Sequence, residues 1–349
     1  MRKETMCNDL SYDNTLHYIL DVRFPFMLHY ILHMIKCIFV IKEISKMVWN
    51  EMQIRLIVKI SETGSFTKAG EELHMTQPAV SRIVASVESE LGTKLIKRNR
   101  KNGLVFTEVG EQILILFRNV LSELKKVDEL IAAERGLEIG KVHVGAYPTA
   151  CTRFIPKIIR LIEQKHPGLE VQLSEGSVDQ VKDWLQTRVI DVGITIPPDH
   201  DFDIIPLIKD QLIVVMSLKH PLYQQESITI PDLQKEQIIL GRGGYEAQVD
   251  ALFKEYNIKP NIRFVVDHLD TALSMIQEEL GITITTKGAI SSLPEHIAIR
   301  DLEPYMFRNI NIAVPDIKDI SRATNVFIET ACTLFADQHE DAAADKSHS

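Results

Sequence analysis

Cysteine is scarce in this chain of 349 residues, and its four cysteines lie far apart, at Cys7, Cys37, Cys151 and Cys332. They form no C-x-x-C pair and have no histidine at metal-ligand spacing, so neither a disulfide framework nor a zinc site is expected. This usage favours a reducing, cytoplasmic compartment. Cys151 falls near a predicted helix start, where a thiolate could be stabilised, but we favour a buried apolar side chain.

Sequence signatures of catalysis are also missing. The chain has no G-x-S-x-G elbow, no P-loop and no H-E-x-x-H motif. Gly241-Arg242-Gly243-Gly244 is not a dinucleotide fingerprint, because Glu246 stands where the third glycine is required. We therefore expect no enzyme activity, no catalytic residues, no cofactor and no bound metal.

A continuous apolar run of membrane-spanning length is absent as well. The most apolar stretch, Phe24 to Ile41, is interrupted by a proline, two histidines and a lysine, and a charge within a span is costly. Two interpretations remain for residues 1–46, a membrane-associating helix or an extension before a true start at Met47. We favour the second and expect no membrane partner.

Positive charge is concentrated in one block of an acidic chain. The formal net charge is −9, yet residues 47–106 carry nine Lys/Arg against six Asp/Glu, and residues 107–349 carry −13. With 45% hydrophobic and 25% charged residues, the composition is that of a globular protein. A basic block on an acidic body suggests a polyanionic partner for the block.

The basic block begins with a helical pattern. Apolar spacing predicts three helices, over about 50–62, 66–73 and 77–91. Gly64 and Gly92 are expected to end the first and third helices, while Ser65 and Thr76 are expected to cap the second and third. Two short helices joined by a tight turn form a helix-turn-helix.

The third predicted helix has the chemistry of a groove reader. Gln77, Ser81 and Arg82 can share one solvent-facing side and offer donors and acceptors to base edges. Val80 and Val84 fall on the opposite, inward side.

A basic hairpin follows this helix. Lys94 to Lys101 holds five cations in eight residues, Asn102-Gly103 is a hairpin turn signal, and Leu104 to Phe106 is the expected returning strand. Such a charge run is either a solvated surface or a phosphate or minor-groove contact. Beside a helix-turn-helix we favour DNA.

A family resemblance rests on four segments, Gly64–Gly70, Leu73–Arg82, Glu90–Leu95 and Thr107–Gly110. In order and spacing, residues 54–110 resemble the winged helix of LysR-type transcriptional regulators. The resemblance implies base contacts from Gln77, Pro78, Ser81 and Arg82 and a wing contact from Arg98, Arg100 or Lys101. The wing is one residue longer than the family pattern, so all three cations stay candidates. Ser65, Thr67 and Thr76 complete the predicted DNA-binding residues.

A long helix is predicted after the wing. Apolar residues at 109, 113, 117, 120, 124, 127 and 131 approximate a heptad stripe on one helix of about 28 residues, roughly 42 Å long. Such a stripe needs a partner helix, and we favour a second copy over the chain's own body. The resemblance also implies homodimers that assemble into homotetramers.

The acidic body alternates strands and helices, which predicts α/β lobes. Segments Leu207–Met216 and Ile310–Pro315 are expected to cross between two lobes. The predicted fold class is α/β, with an α-rich winged helix-turn-helix N-terminal domain, a long linker helix and a two-lobed, periplasmic-binding-protein-like effector domain. The predicted domain bounds are 47–106 for the winged helix, 107–137 for the linker, 140–208 with 315–336 for lobe I, 209–314 for lobe II, and 337–349 for a mobile tail.

A ligand is expected between the lobes, where helix starts direct amides outward from the ends of strands. The candidate effector-binding residues are Thr149, Ala150, Ser177, Thr195, Arg242, Tyr245, His268 and Thr285. Hydroxyls, amides and one arginine suit a small polar or anionic metabolite.

The sequence therefore predicts a DNA-binding transcriptional regulator, controlled by a small effector, that acts on double-stranded promoter or operator DNA with RNA polymerase as a further partner. The alternative is a two-lobed solute-binding protein, which would need neither a recognition helix nor a basic wing.

Lys101→Ala is expected to weaken binding to all duplexes by a similar factor, because a phosphate contact carries no sequence information. Losing one such contact lowers the slope of log K against log salt by about 0.9. Titrations of specific and random duplexes at several salt concentrations test this. A loss confined to one sequence would contradict a phosphate contact.

Overall fold

A computed structural model describes residues 49–99, 103–135, 137, 139–241, 246–290 and 292–336. The chain divides into two compact units, residues 1–112 and 113–349. The extension 1–46, with the apolar stretch 24–41, and the predicted tail 337–349 lie outside the described residues. Within the described ranges, none of the helices combines the length and apolar character needed to cross a bilayer.

The first unit contains three helices and a hairpin. Its elements are α1 (Glu51–Thr63), α2 (Phe66–Glu72), α3 (Gln77–Leu91), β1 (Ile96–Asn99) and β2 (Gly103–Phe106), followed by the start of α4 (Glu108–Glu134). Asn50 caps α1 through a reciprocal pair of hydrogen bonds with Gln53. The buried faces of the three helices, which include Leu56, Ile60 and Val84, form the core of this unit. Gly64 and Gly92 end α1 and α3, as the sequence predicted.

A close backbone approach makes the turn between α2 and α3 tight. The amide of Met75 donates to the carbonyl of Gly70 at 2.7 Å. A Cβ on Gly70 would lie 2.7 Å from the carbonyl oxygen of Met75 and 3.1 Å from a methyl group of Val80. Only glycine at position 70 leaves space for this turn. The turn sets the angle between α2 and α3.

The hairpin is fastened to α3 by the buried carboxylate of Glu88. One oxygen accepts the amides of Leu95 at 3.0 Å and Ile96 at 3.2 Å. The other oxygen pairs with the Lys94 ammonium group. Because a buried carboxylate is stable only when its acceptors are satisfied, this arrangement fixes where the hairpin leaves the helix.

One face of α4 is not covered by the other described residues of the chain. Most of the predicted stripe is exposed, namely Val109, Val120, Leu124, Val127 and Ile131. Leu116 and Leu130 extend the exposed apolar surface, with Leu130 66% exposed. Phe117 departs from the prediction, because it is buried within the chain.

A second face of α4 docks onto the body of the second unit. The guanidinium of Arg118 donates to the carbonyl of Thr187 at 2.8 Å, and the Lys125 ammonium lies 3.1 Å from Asp191. Lys126 pairs with Asp319, which lowers the pKa of that aspartate. Glu129 accepts from the amide of Ala323 at 3.3 Å, near the start of the last helix. The alternative weighed from sequence, that the stripe packs on the same chain's body, is met at Phe117 but not at the exposed members of the stripe.

The second unit, beyond the rest of α4, alternates helices and strands. Its helices are α5 (Pro148–Arg153), α6 (Ile155–Lys165), α7 (Val178–Gln186), α8 (Glu246–Glu255), α9 (Leu269–Gln277) and α10 (Arg322–Leu334). Its strands are β3 (Gly140–Ala146), β4 (Leu169–Glu175), β5 (Val192–Thr195), β6 (Asp203–Ser217), β7 (Ser227–Thr229), β8 (Gln237–Gly241), β9 (Asn261–Val266), β10 (Thr283–Thr286), β11 (Ile297–Glu303) and β12 (Phe307–Val314). Short 3₁₀ turns cover Pro221–Gln224, Pro231–Lys235, Lys287–Ala289 and Ile317–Asp319.

The antiparallel pair β6–β12 joins the two lobes of this unit. The main sheet runs in the order β4-β3-β5-β12-β6-β11-β7, with β10 also pairing with β6, and β8–β9 form a separate parallel pair. One apolar core, lobe I, draws on residues between 142–208 and 310–335. Two further cores, which together form lobe II, lie between residues 212 and 302.

The lobe boundary predicted at residue 315 is wrong. Ile310, Ile312 and Val314, assigned to lobe II from sequence, pack in the core of lobe I. The physical reason is that β12 pairs with β5 of lobe I as well as with β6. Strand β11 was not predicted from sequence.

Glu88→Gln is expected to lower the free energy of unfolding by about 1–3 kcal/mol, because an amide cannot accept both backbone bonds and pair with Lys94. Chemical denaturation of the full chain measures the change. Glu90→Gln on the exposed side of α3 is the matched control. Equal stability of the two variants would contradict the fastening role of Glu88.

Candidate nucleic-acid interface and effector cleft

The exposed side of α3 carries the predicted base-reading residues. Gln77, Pro78 and Arg82 are exposed and Ser81 is half-buried, whereas Val80 is buried. The side-chain amide of Gln77 donates to the Ser81 hydroxyl at 3.1 Å, so these two groups are neighbours one turn apart. The Nε atom of Arg82 lies 3.4 Å from the carbonyl of Pro78, a long contact that leaves most of the guanidinium donors available.

The helix caps around this surface differ from the prediction at one position. Ser65 caps α2 by accepting from the amide of Lys68, as predicted. Thr76 occupies the N-cap of α3, but its side chain makes no capping hydrogen bond, so the expected cap is wrong. The hydroxyl of Thr76 is exposed, as is that of Thr67. The N-termini of helices favour anions, and the Thr76 hydroxyl, which makes no capping bond, lies at the N-terminus of α3.

The wing hairpin is confirmed at the level of its backbone. Asn99 pairs with Gly103 and Ile96 with Phe106. Gly103 opens the returning strand rather than lying within the turn. The side chain of Arg98, together with Arg100 and Lys101, lies outside the described residues.

The predicted effector-binding residues separate into three groups. Ala150, Thr195 and Thr285 are buried and Thr149 is half-buried. Ser177 and His268 are exposed, and the hydroxyl of Ser177 already caps α7 by accepting from Gln180. Arg242 and Tyr245 fall outside the described residues.

Sequence reasoning missed a charged cluster at the junction of the lobes. Asp210, only 4% exposed, lies on β6. One of its oxygens accepts from Arg153 Nη1 at the end of α5 in lobe I, and the other accepts from the amide of Gly288 at 2.9 Å in lobe II. A single carboxylate therefore binds both lobes at once. The signal was a carboxylate within the segment Leu207–Met216, which the sequence predicted to cross between the lobes.

A second arginine lies beside this carboxylate. Arg308, 2% exposed, is directly opposite Asp210 in the β6–β12 register. Its guanidinium carbon is 5.7 Å from the centre of the Tyr147 ring, and its Nη2 atom is 3.4 Å from the Thr286 hydroxyl. Burial raises the pKa of the Tyr147 phenol, with the Arg308 charge opposing that rise. The phenol is therefore neutral near pH 7 and can donate a hydrogen bond.

Two buried hydroxyl groups near the strand ends have no hydrogen-bond partner among the residues that the structure describes. They belong to Tyr147 and Thr195. Tyr147 directly follows β3, and Thr195 ends the adjacent strand β5. Buried polar groups are normally satisfied, so these hydroxyls are candidate donors to a ligand.

Neither described cysteine is activated. Burial, with a smaller contribution from Glu175, raises the pKa of the Cys151 thiol to about 11, and burial also raises the pKa of Cys332. A thiol with a raised pKa is a poor nucleophile near pH 7. This supports the buried, apolar interpretation of Cys151.

The described residues contain no group of three or more His, Cys, Asp or Glu side chains placed to hold a metal ion.

Two protein families match the chain. Residues 52–111 match the bacterial regulatory helix-turn-helix proteins of the lysR family, and residues 135–334 match the LysR substrate binding domain. The second match alone covers more than half of the chain. The two matched segments coincide with the helical unit that carries α3 and with the two lobes.

Individual relatives extend the likeness to nearly full length. The uncharacterised HTH-type transcriptional regulator YvbU of Bacillus subtilis (strain 168) is 45% identical over 285 residues, which are 81% of this chain and 98% of that protein. The structure of full-length OxyR from Pseudomonas aeruginosa is similar, with a TM-score of 0.64, 24% identity, and coverage of 81% and 97% of the two chains. Full-length CbnR complexed with its target DNA has a TM-score of 0.57, 22% identity, and coverage of 81% and 99%.

Arg82→Ala is expected to remove about 1–3 kcal/mol of sequence discrimination if the guanidinium contacts a base edge. Affinities for a specific and a scrambled duplex, measured at one salt concentration, give the difference. Arg55→Ala, which removes an exposed cation from α1, is the control. Equal losses on both duplexes would remove base reading from Arg82.

Proposed function

The chain belongs to the LysR family of bacterial transcriptional regulators, and we propose that α3 reads operator DNA while the cleft between lobes I and II binds a small polar or anionic metabolite. As a member of this family it is a DNA-binding regulator with an effector-binding domain. The residues that contact DNA and effector, and the effector itself, are the content of the proposal.

The DNA-binding part of the proposal is carried by the exposed side of α3. The major groove admits an α-helix. On the exposed side of α3, hydrogen-bonding and apolar groups for base edges come from Gln77, Pro78, Ser81 and Arg82. Ser65, Thr67 and Thr76 supply phosphate contacts, and a wing cation from Arg98, Arg100 or Lys101 enters the minor groove. Base contacts specify the sequence and phosphate contacts set the register.

Dimer formation through α4 follows from its uncovered stripe. Exposed apolar residues spaced along a 27-residue helix are stable in water when a second helix covers them. Two copies of α3 would then read two half-sites, which supplies affinity that one small module lacks. Pairs of dimers give the tetramer that the family resemblance implies.

The effector part of the proposal is supported by the cluster between the lobes. Arg153 and Arg308 supply positive charge, and the unpartnered hydroxyls of Tyr147 and Thr195 supply donors. The predicted contacts Thr149, Ala150, Ser177, Thr195, Arg242, Tyr245, His268 and Thr285 remain candidates. Effector binding changes the regulator only through different affinities for two arrangements of the lobes.

The remaining assignments complete this proposal. The functional parts are a winged helix at 47–106, a linker at 107–137 and an effector domain from 140 to 336, acting in the cytoplasm without enzyme activity or a membrane partner. RNA polymerase is the proposed further partner at the promoter. The basic, helix-turn-helix-bearing first unit disfavours the alternative of a transport-type solute-binding protein.

The DNA fragments that the purified full-length chain retains from a fragmented genomic library test the proposal. We expect a recurrent sequence with two related half-sites, which Arg82→Ala no longer enriches. Retention of random fragments alone, by a correctly folded preparation, would overturn operator reading. The genes beside an enriched site would identify the pathway of the effector.

A further inference from the structure

The ion pair between Arg153 and Asp210 ties lobe I to lobe II. Arg153 is the last residue of α5. The nearby residues Ala150, Cys151 and Phe154 pack in the core of lobe I. The other oxygen of Asp210 binds the amide of Gly288, in the turn that follows β10 of lobe II. Asp210 is 4% exposed, so losing the Arg153 charge would remove one of the groups that compensate a buried carboxylate, which is unfavourable.

The guanidinium of Arg153 fits closely above Gly288. A Cβ built on Gly288 would lie 1.8 Å from Arg153 Nη1 and 2.0 Å from its guanidinium carbon. No side chain other than hydrogen at position 288 is compatible with this position of the arginine.

The cluster allows Arg153 to leave Asp210 when another anion arrives. Arg308 lies opposite Asp210 on the paired strand, so the carboxylate keeps a cation beside it. Arg153 itself is 21% exposed, which gives a ligand access to its guanidinium. The hydroxyls of Tyr147 and Thr195 supply further unmet donors, and guanidinium groups bind carboxylates with charge-assisted hydrogen bonds.

We propose that Asp210 is a built-in competitor for the effector: the effector carries a carboxylate, which takes Arg153 from Asp210 and so releases the contact that holds the lobes in the described arrangement. A carboxylate is the natural competitor, because a carboxylate is what Arg153 already holds. This inference rests on the proposed effector function of the cleft and names the chemical class of the ligand.

Binding of formate tests directly whether the Arg153 guanidinium accepts a free carboxylate. Asp210→Ala removes the resident carboxylate and leaves space that formate can fill. Formate is expected to raise the melting temperature of the full-length variant more than sodium chloride or neutral formamide at the same concentration. The wild type should respond less, because Asp210 occupies the guanidinium.

In Arg153→Gln/Asp210→Ala the apparent affinity for formate should fall about tenfold or more, as expected when charge-assisted hydrogen bonds are lost. Equal responses of the single and double variants to formate would overturn the proposal.

Gly288→Ala tests the contact while keeping all charges, and it serves if Asp210→Ala does not fold. The methyl group expels the guanidinium, so amide hydrogen exchange should accelerate in segments 148–154 and 287–290 and stay unchanged in 51–91. In an Arg153→Gln background the same substitution should have little effect, because nothing remains to be expelled. An equal effect in both backgrounds, or none in the wild type, would contradict the contact.

Failure of this inference and failure of the proposed function are distinguishable. The formate and exchange measurements need no DNA, whereas fragment retention needs no occupied cleft. A chain that enriches an operator but shows no Arg153-dependent formate response keeps its function and loses the built-in competitor.

Discussion

A charge taken out of water must be compensated where it lies, and the second unit depends on this constraint at the junction of its lobes. Asp210 lies on one of the two strands that run through both lobes, and its two oxygens hold one group from each side. The relative placement of the lobes is therefore tied to a polar contact rather than to apolar packing alone. Polar contacts can be exchanged for a ligand, whereas a well-packed apolar core resists such exchange.

Glu88 shows the same constraint with a different outcome. Its carboxylate is satisfied by two adjacent amides and one lysine, all within eight residues of chain. Such a local set has no second partner to exchange with, so it serves to hold the hairpin in place. The Glu88 carboxylate therefore holds the hairpin to its helix, whereas the Asp210 carboxylate holds two lobes through partners that can be exchanged.

The sequence predicts correctly those parts of the structure that depend on residues close together in the chain. Helix α7 and the ends of α1 and α3 at Gly64 and Gly92 follow from apolar spacing, caps and glycines that lie within a few residues. It failed where partners are distant. Arg153, Asp210 and Gly288 are separated by 57 and 78 residues, and no periodicity relates them. The burial of Phe117 is likewise set by its tertiary surroundings rather than by residue type.

The fit of a guanidinium over Gly288 has an evolutionary corollary. Positions 153, 210 and 288 form one steric and electrostatic unit, so selection acts on them jointly. A side chain at 288 would displace the guanidinium from this position, so the contact as described is kept only where glycine stands at 288 together with arginine at 153. Correlated variation of these three alignment columns would mark the branch of the family that keeps this contact.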